Sequence, residues 1–292
     1  MRGVGESTAA ITIVNALSTG IGSAVGIELR ARAEVELHPA GSHEKWDVKL
    51  ADAARTPLVI TSLTEALHRF APGSSGSGEL TLRSEIPSGR GLKSSSAVSS
   101  AVVLAVARAT EARIDPIDVA RMSAEISRAA GVSATGAFDD ALAGLSSGLV
   151  VTDNRRGELL KSYPVDPELG VALFVPPNSH RPSPEWISGF AATSDQGQVA
   201  VDAALAGDWI GAMRANTELV ERVIGYDYSA TRSELARRGA VACGVSGMGP
   251  ALAAIAPRRR LREVVAAFPR TQGERRTLDF SRPGSLSGGD LP

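Results

Sequence analysis

The chain is poor in the residues that most often announce a chemistry. It has a single cysteine, Cys243, which excludes an intramolecular disulfide framework and fits a reducing compartment. Its four histidines, His38, His43, His68 and His180, form no i,i+4 pair and no HExxH, so nothing marks a zinc site. We read no nucleophile elbow and no CxxC, which leaves hydrolase and redox functions without anchors. Neither sign of charge dominates: Lys+Arg 31 against Asp+Glu 32 gives a net charge of -1, which argues against nucleic acid or a polybasic membrane patch. The longest apolar run, Ala101 to Ala107, falls far short of the roughly 20 residues that span a bilayer. The opening MRGVGESTAA lacks the apolar core of a signal peptide. The expectation is a soluble, cytoplasmic protein.

Length and glycine are what the chain does have. Its 292 residues suffice for one large domain or two modest ones, and its 30 glycines describe a loop-bearing globular protein. Ile11 to Leu17 reads as a strand that runs into Gly20, Gly22 and Gly26. Val25–Arg30 and Ala33–Leu37 then alternate apolar with polar, as strands with one wet face do. Pro57 to Phe70 reads as a helix, Ala71 to Gly78 as an exposed linker and Glu79 to Ile86 as a strand. Ser96 to Arg108 is apolar nearly all round, the mark of a buried helix. Asp115-Pro116 opens another helix, which Gly131 closes. Leu149–Thr152 and Glu158–Tyr163 flank Asn154-Arg155-Arg156-Gly157 as a hairpin. A strand at Gly170–Val175 follows, then two helical segments within Val199–Ile224, broken near Gly207. Short strands at Val241–Val245 and Ala251–Ile255, a helix at Arg260–Phe268 and a strand at Arg276–Phe280 complete the reading. The Gly/Ser/Pro-rich tail 281–292 is expected to be disordered. Strands and helices mix without a βαβ beat, so the fold class is α+β in two lobes, 1–160 and 161–280, meeting within residues 153–170.

Three glycine-bearing segments and one acidic pair carry the candidate chemistry. Between a strand and the buried helix, Ile86 to Val98 spells IPSGRGLKSSSAV. Gly89 and Gly91 let backbone N–H groups face an anion, Ser94, Ser95 and Ser96 add hydroxyls at a helix N-terminus, and Lys93 adds a charge. Leu92 stands where a Walker A loop needs glycine, so this is no P-loop. The plain alternative is a serine-rich N-cap on a core helix. Gly20, Gly22 and Gly26 imitate a dinucleotide fingerprint, but a strand follows them where a helix must, which leaves a tight turn or a substrate-side loop. Cys243 to Pro250, CGVSGMGP, is a second glycine loop able to approach a ligand or the first loop, and equally a plain turn. Asp139 and Asp140 supply a base or a metal site, or merely the first-turn charge of a helix. Glu125 is sufficiently explained by an i,i+4 pair with Arg121.

In this order the segments resemble the GHMP kinase superfamily, named for its galacto-, homoserine, mevalonate and phosphomevalonate kinases, over about residues 5–280. Pro87-Ser88-Gly89-Arg90-Gly91-Leu92-Lys93-Ser94-Ser95-Ser96-Ala97 is similar to that family's PxxxGLGSSAA motif. Lys93 in place of the third glycine, the triple serine, GAFDDA at Gly136 to Ala141, and Val14-Asn15-Ala16 resemble the archaeal-type shikimate kinase branch. The resemblance implies a ribosomal-protein-S5-like N-terminal lobe and a ferredoxin-like C-terminal lobe with ATP in the groove between them. It places the ATP phosphates on the Ser94–Ser96 loop, with Pro87, Gly89, Arg90, Gly91, Leu92, Lys93 and Ala97 completing the nucleotide site, Mg²⁺ on Ser95 and Glu125, and the base at Asp139, with Asp140 close by. Kinases of the family often carry a basic residue in the first motif. None stands here between Arg2 and Arg30, so that role is unfilled or falls to Lys93. The implied activity is ATP-dependent phosphorylation of the shikimate 3-hydroxyl, a step toward chorismate and the aromatic amino acids. Homoserine or mevalonate kinase, an NAD(P)-linked oxidoreductase and a silent nucleotide-binding module are the alternatives. A carboxylate substrate would call for an arginine, with Arg90 and Arg181 as candidates.

Overall fold

The computed structural model describes residues 1–40, 46–51, 55–133, 135–178 and 183–282; Arg181, His43, His180 and the expected tail from 283 onward lie outside the described residues. The chain opens with β1 (Arg2–Val14), β2 (Ile21–Pro39) and β3 (Trp46–Ala51), then α1 (Pro57–Phe70), β4 (Gly76–Ser84), α2 (Ser94–Ala109), α3 (Pro116–Ala129) and α4 (Phe138–Ala143). There follow β5 (Leu149–Asp153), β6 (Glu158–Tyr163), β7 (Leu169–Val175), α5 (Pro184–Ala191), α6 (Ser194–Leu205), α7 (Trp209–Ile224) and α8 (Ser229–Arg237). The described chain ends with β8 (Ala242–Val245), β9 (Leu252–Pro257), a 3₁₀ turn at Arg258–Arg260, α9 (Leu261–Ala266) and β10 (Glu274–Leu278).

The first sheet is built around β2. One edge of that strand pairs with β1 along nearly its whole length, and the other pairs with β5 near its start and β4 near its end. Strands β3 and β6 extend this sheet, in which, among the described residues, only β3 and β4 run parallel. The second sheet has the order β10-β7-β9-β8 and is antiparallel throughout. A doubly wound dinucleotide fold is thereby excluded.

Strand β2 is one element rather than two, because Val25, Ile27, Leu29, Ala31, Ala33, Val35 and Leu37 continue a single buried face. The alanines weaken the hydrophobic signal without breaking the period. Strand β1 begins earlier than its apolar residues suggest. A Cβ at Gly3 would come within 2.1 Å of Ala105 O, and one at Gly5 within 2.0 Å of Ala101 O. The alanine-rich helix α2 therefore lies directly on a glycine-bearing strand, and this close seat fixes where its N-terminus points.

Several elements were not legible. The segment 71–78 is not wholly a linker, since Gly76 already belongs to β4. Helix α8 buries only Leu235, and α5 only Phe190, so neither shows an apolar stripe. Beyond β10, Glu28 N donates to Asp279 O at 3.0 Å and Ser281 N to Gly26 O at 2.9 Å, so the chain returns to β2. Ser281 is buried there, which corrects the expectation of disorder at that residue. Helix α7 packs against both β8 and β1, joining the two sheets.

Candidate active site

Helix α2 begins without the usual protections. Its N-cap is Lys93, with φ 66°, no side-chain capping bond forms, and no acidic residue stands in the first turn. The three serines sit inside the helix rather than capping it, so the serine N-cap alternative fails. The first backbone donor with a partner is Ala97 N, which donates to Lys93 O at 3.1 Å. The N–H groups of Ser94, Ser95 and Ser96 remain available to an anion.

The other two glycine segments converge on this terminus. Ser246 Oγ donates to Gly91 O at 2.7 Å, and Ala251 N donates to Arg90 O at 3.1 Å. A Cβ on Gly91 would sit 2.1 Å from Ser246 O, at a φ of +80°, so no other residue type fits. Gly247 N donates to Thr12 Oγ1 at 2.8 Å, and Asn15 Nδ2 donates to Gly247 O at 3.2 Å. Asn216 of α7 accepts from Asn15 N at 2.8 Å through its side-chain oxygen. The loop 243–250 is thus a clamp between the first motif and the serine loop, not a plain turn.

The acidic pair completes the site. Asp139 and Asp140 lie in the first turn of α4, whose N-cap, Ala137, has φ 56°. Both N-caps that aim the site's helices therefore hold left-handed backbone, which costs about 1–2 kcal/mol per L-residue. Lys93 Nζ lies 2.9 Å from Asp140 Oδ1, with only 11% and 12% of the two side chains exposed. Asp139 is buried, and its Oδ1 accepts from Asn154 Nδ2 at 2.7 Å. Asn154 Oδ1 in turn accepts from Asp139 N at 3.1 Å and from Thr152 Oγ1 at 2.8 Å. A Cβ on Gly22 would fall 2.3 Å from Asp139 Oδ2, so the first glycine run is what admits this carboxylate. Asp140 thus faces the serine loop, while Asp139 faces the β1–β2 turn.

Burial, helped by the neighbouring charge of Asp139 and opposed by Lys93, raises the Asp140 carboxyl from 3.8 to about 7. Between these values the folded chain keeps a proton that the unfolded chain has released. Stability from this group is therefore full below the unfolded value and is lost as pH rises through the folded one. Asp140→Asn removes the titration. Its Tm relative to the unsubstituted chain should rise from about pH 4 to about pH 7 and level off above, as scanning calorimetry would show. A difference that stays flat or falls would contradict the assignment.

Not every expected residue arrives. Glu125 is exposed and forms no pair with Arg121, which instead contacts Asp118 at 2.8 Å and donates to Gly157 O at 2.9 Å. Glu125 lines a groove with His68, Arg69 and Arg113, whereas Ser123 two positions earlier donates to Ser96 O at 3.3 Å. Two residues turn a helix by about 200°, so Glu125 points away from Ser95. Among the described residues no three acidic, histidine or cysteine side chains gather as a metal cluster. The guanidinium of Arg90 donates to Pro177 O. Leu92 and Ala97 are buried packing residues of the loop, while Pro87 and Gly89 shape its entry. Cys243 has its thiol pushed up to about 11 by burial and stays protonated. Gly144 to Gly148 spells GxSxG, yet it leads from a helix into a strand, and Ser146 Oγ donates to Leu142 O at 2.7 Å. It is not an elbow. Asn154, Thr12 and Ser246 were missed, Asn154 because an Asn before Arg-Arg-Gly reads only as a hairpin turn.

Among the described residues, no helix is long and apolar enough to cross a membrane. Residues 58–148 match the family of GHMP kinases N terminal domain. The chain is 37% identical to the shikimate kinase of Pyrococcus furiosus, covering 92% of this chain and 97% of that protein. It is 33% identical to the shikimate kinase of Archaeoglobus fulgidus, over 92% of this chain and 88% of the relative. Its fold is that of the Methanococcus jannaschii mevalonate kinase, with a TM-score of 0.73 and 12% identity over 97% and 99% of the two chains. A homoserine kinase from Cytophaga hutchinsonii superposes with a TM-score of 0.71 at 18% identity, covering 97% of each chain.

Proposed function

Since the chain belongs to the GHMP kinase family, alongside the archaeal shikimate kinases, we propose that it transfers the γ-phosphoryl group of ATP to the 3-hydroxyl of shikimate. The observation that carries this reading is the meeting of a bare helix terminus, Lys93 and two aspartates in one place. Phosphoryl transfer asks for positioning and charge neutralisation more than for covalent work. The acceptor oxygen bonds to the γ-phosphorus, the bond to the β,γ-bridging oxygen breaks, and ADP leaves with that electron pair. Asp139 takes the hydroxyl proton. Lys93 and the N–H groups of Ser94 to Ser96 spread the phosphate charge. The two lobes divide between β6 and β7, a few residues after 160, and the compartment is the cytoplasm, in keeping with an unpaired, protonated Cys243.

Mg²⁺ accompanying ATP would neutralise phosphate charge during transfer. Of the two expected ligands, the partly buried Ser95 stands at the helix terminus and Glu125 does not. Ser95→Ala should weaken the calorimetric affinity for Mg²⁺–ATP more than that for ATP alone, while Glu125→Gln leaves both unchanged. Equal losses in the two variants would restore Glu125 to the site.

The proposed activity is tested by coupled ADP release with shikimate, homoserine, mevalonate and galactose in turn. Turnover of shikimate above the others is expected. Turnover of homoserine or mevalonate with none of shikimate would overturn the acceptor while leaving a kinase.

A further inference from the structure

We infer that Arg155 receives the carboxylate of the acceptor, a proposal that rests on the kinase reading above and adds its missing cation. Neighbouring arginines are engaged: Arg156 with Glu158 at 3.6 Å, Arg121 with Asp118 and Gly157, Arg128 with Thr135 O at 3.1 Å, and Arg90 with Pro177 O. Among the described residues nothing accepts from the guanidinium of Arg155, and no carboxylate pairs with it. Its side chain lies along Gly20, where a Cβ would fall 2.5 Å from Arg155 Nε.

The placement relative to the base follows from the same turn. Gly20 carries Arg155 and Gly22 carries Asp139, whose Oδ2 is 2.3 Å from the Cβ site there. Two residues of chain span at most about 7 Å between Cα atoms, so, with the Cα–Cβ bonds included, the guanidinium and the carboxylate lie within roughly 15 Å of each other. A six-membered ring bearing a carboxylate and a hydroxyl two carbons apart, with a hydrogen bond at each end, needs about 10 Å. An acceptor of that length falls within this limit.

The arginine is also held ready. Asp153 Oδ1 accepts from Arg155 N at 2.9 Å and Arg156 N at 3.1 Å, and Asn154 N donates to Gly20 O at 2.9 Å. Asn154, next in the chain, is the residue that fixes Asp139. One hairpin tip thus sets the base and the cation together, and a planar guanidinium suits a carboxylate bidentately.

Steady-state kinetics on the full chain test the assignment, with shikimate and its carboxamide analogue as acceptors. Arg155→Gln should raise the KM for shikimate about 10- to 100-fold, with the KM for ATP and the Tm unchanged. It should also abolish the preference for shikimate over the carboxamide, and Arg155→Lys should restore part of it. Arg156→Gln, on the paired neighbour, should change none of these. An unchanged shikimate KM in Arg155→Gln, or equal losses for both acceptors, would overturn the Arg155 assignment and leave the kinase reading standing. Absence of shikimate turnover in the unsubstituted enzyme would overturn both.

Discussion

Asp139→Asn should lower kcat by about 10²- to 10⁴-fold while leaving ATP affinity within about twofold. The substitution is close to isosteric, and the surroundings can accept it. The new amide oxygen can still take the hydrogen bond from Asn154 Nδ2, and the backbone bond from residue 139 to Asn154 Oδ1 is untouched. What disappears is the ability to accept a proton at the atom lying against Gly22. In the proposed reading nucleotide binding depends on the serine loop across the site, so isothermal calorimetry with ATP should barely register the change. Asp140 supplies the contrast, because its carboxylate is engaged by Lys93 on the phosphate side. A fully active Asp139→Asn beside an inactive Asp140→Asn would move the base by one residue.

The sequence disclosed this site unevenly, for physical reasons. Capping and periodicity are local, so α1 is bounded as read, and Asp115 caps α3 by accepting from Asp118 N. The glycine loops were legible as loops because glycine limits what else the backbone there can be. Their convergence was only one of the readings open, beside a plain turn, since Thr12, Gly91 and Ser246 meet only through tertiary packing. Glu125 shows the opposite failure. Its place in the chain suits a metal ligand, and only the seat of α3 on α2, through Ser123 and Ser96, turns it outward. Asn154 was visible but ambiguous, since the residue type that favours a turn is also one that can brace a carboxylate from both ends.

Lys93→Gly should cost about 10²- to 10³-fold in kcat and, unusually for a loss at such a site, should not weaken the backbone. Two effects of opposite sign meet at this residue. Its φ of 66° is a conformation that glycine adopts freely and lysine pays roughly 1 kcal/mol or more to hold. Its ammonium is the cation that faces Asp140 beside the unpartnered N–H groups of α2. Removing it leaves Asp140 with burial and the charge of Asp139 unopposed, so the carboxyl keeps its proton at neutral pH and the fold escapes an unpaired buried charge. Lys93→Met separates the two effects, because it removes the charge yet keeps a β-carbon in the left-handed region. The two variants should lose activity equally, whereas the glycine variant should melt higher, by both circular dichroism and calorimetry. If Lys93→Gly instead turned over within about tenfold of the unsubstituted enzyme, the backbone N–H groups would suffice for the transferring phosphate. The lysine would then be a structural partner of Asp140, and the strain at residue 93 would serve only to bring that pair together.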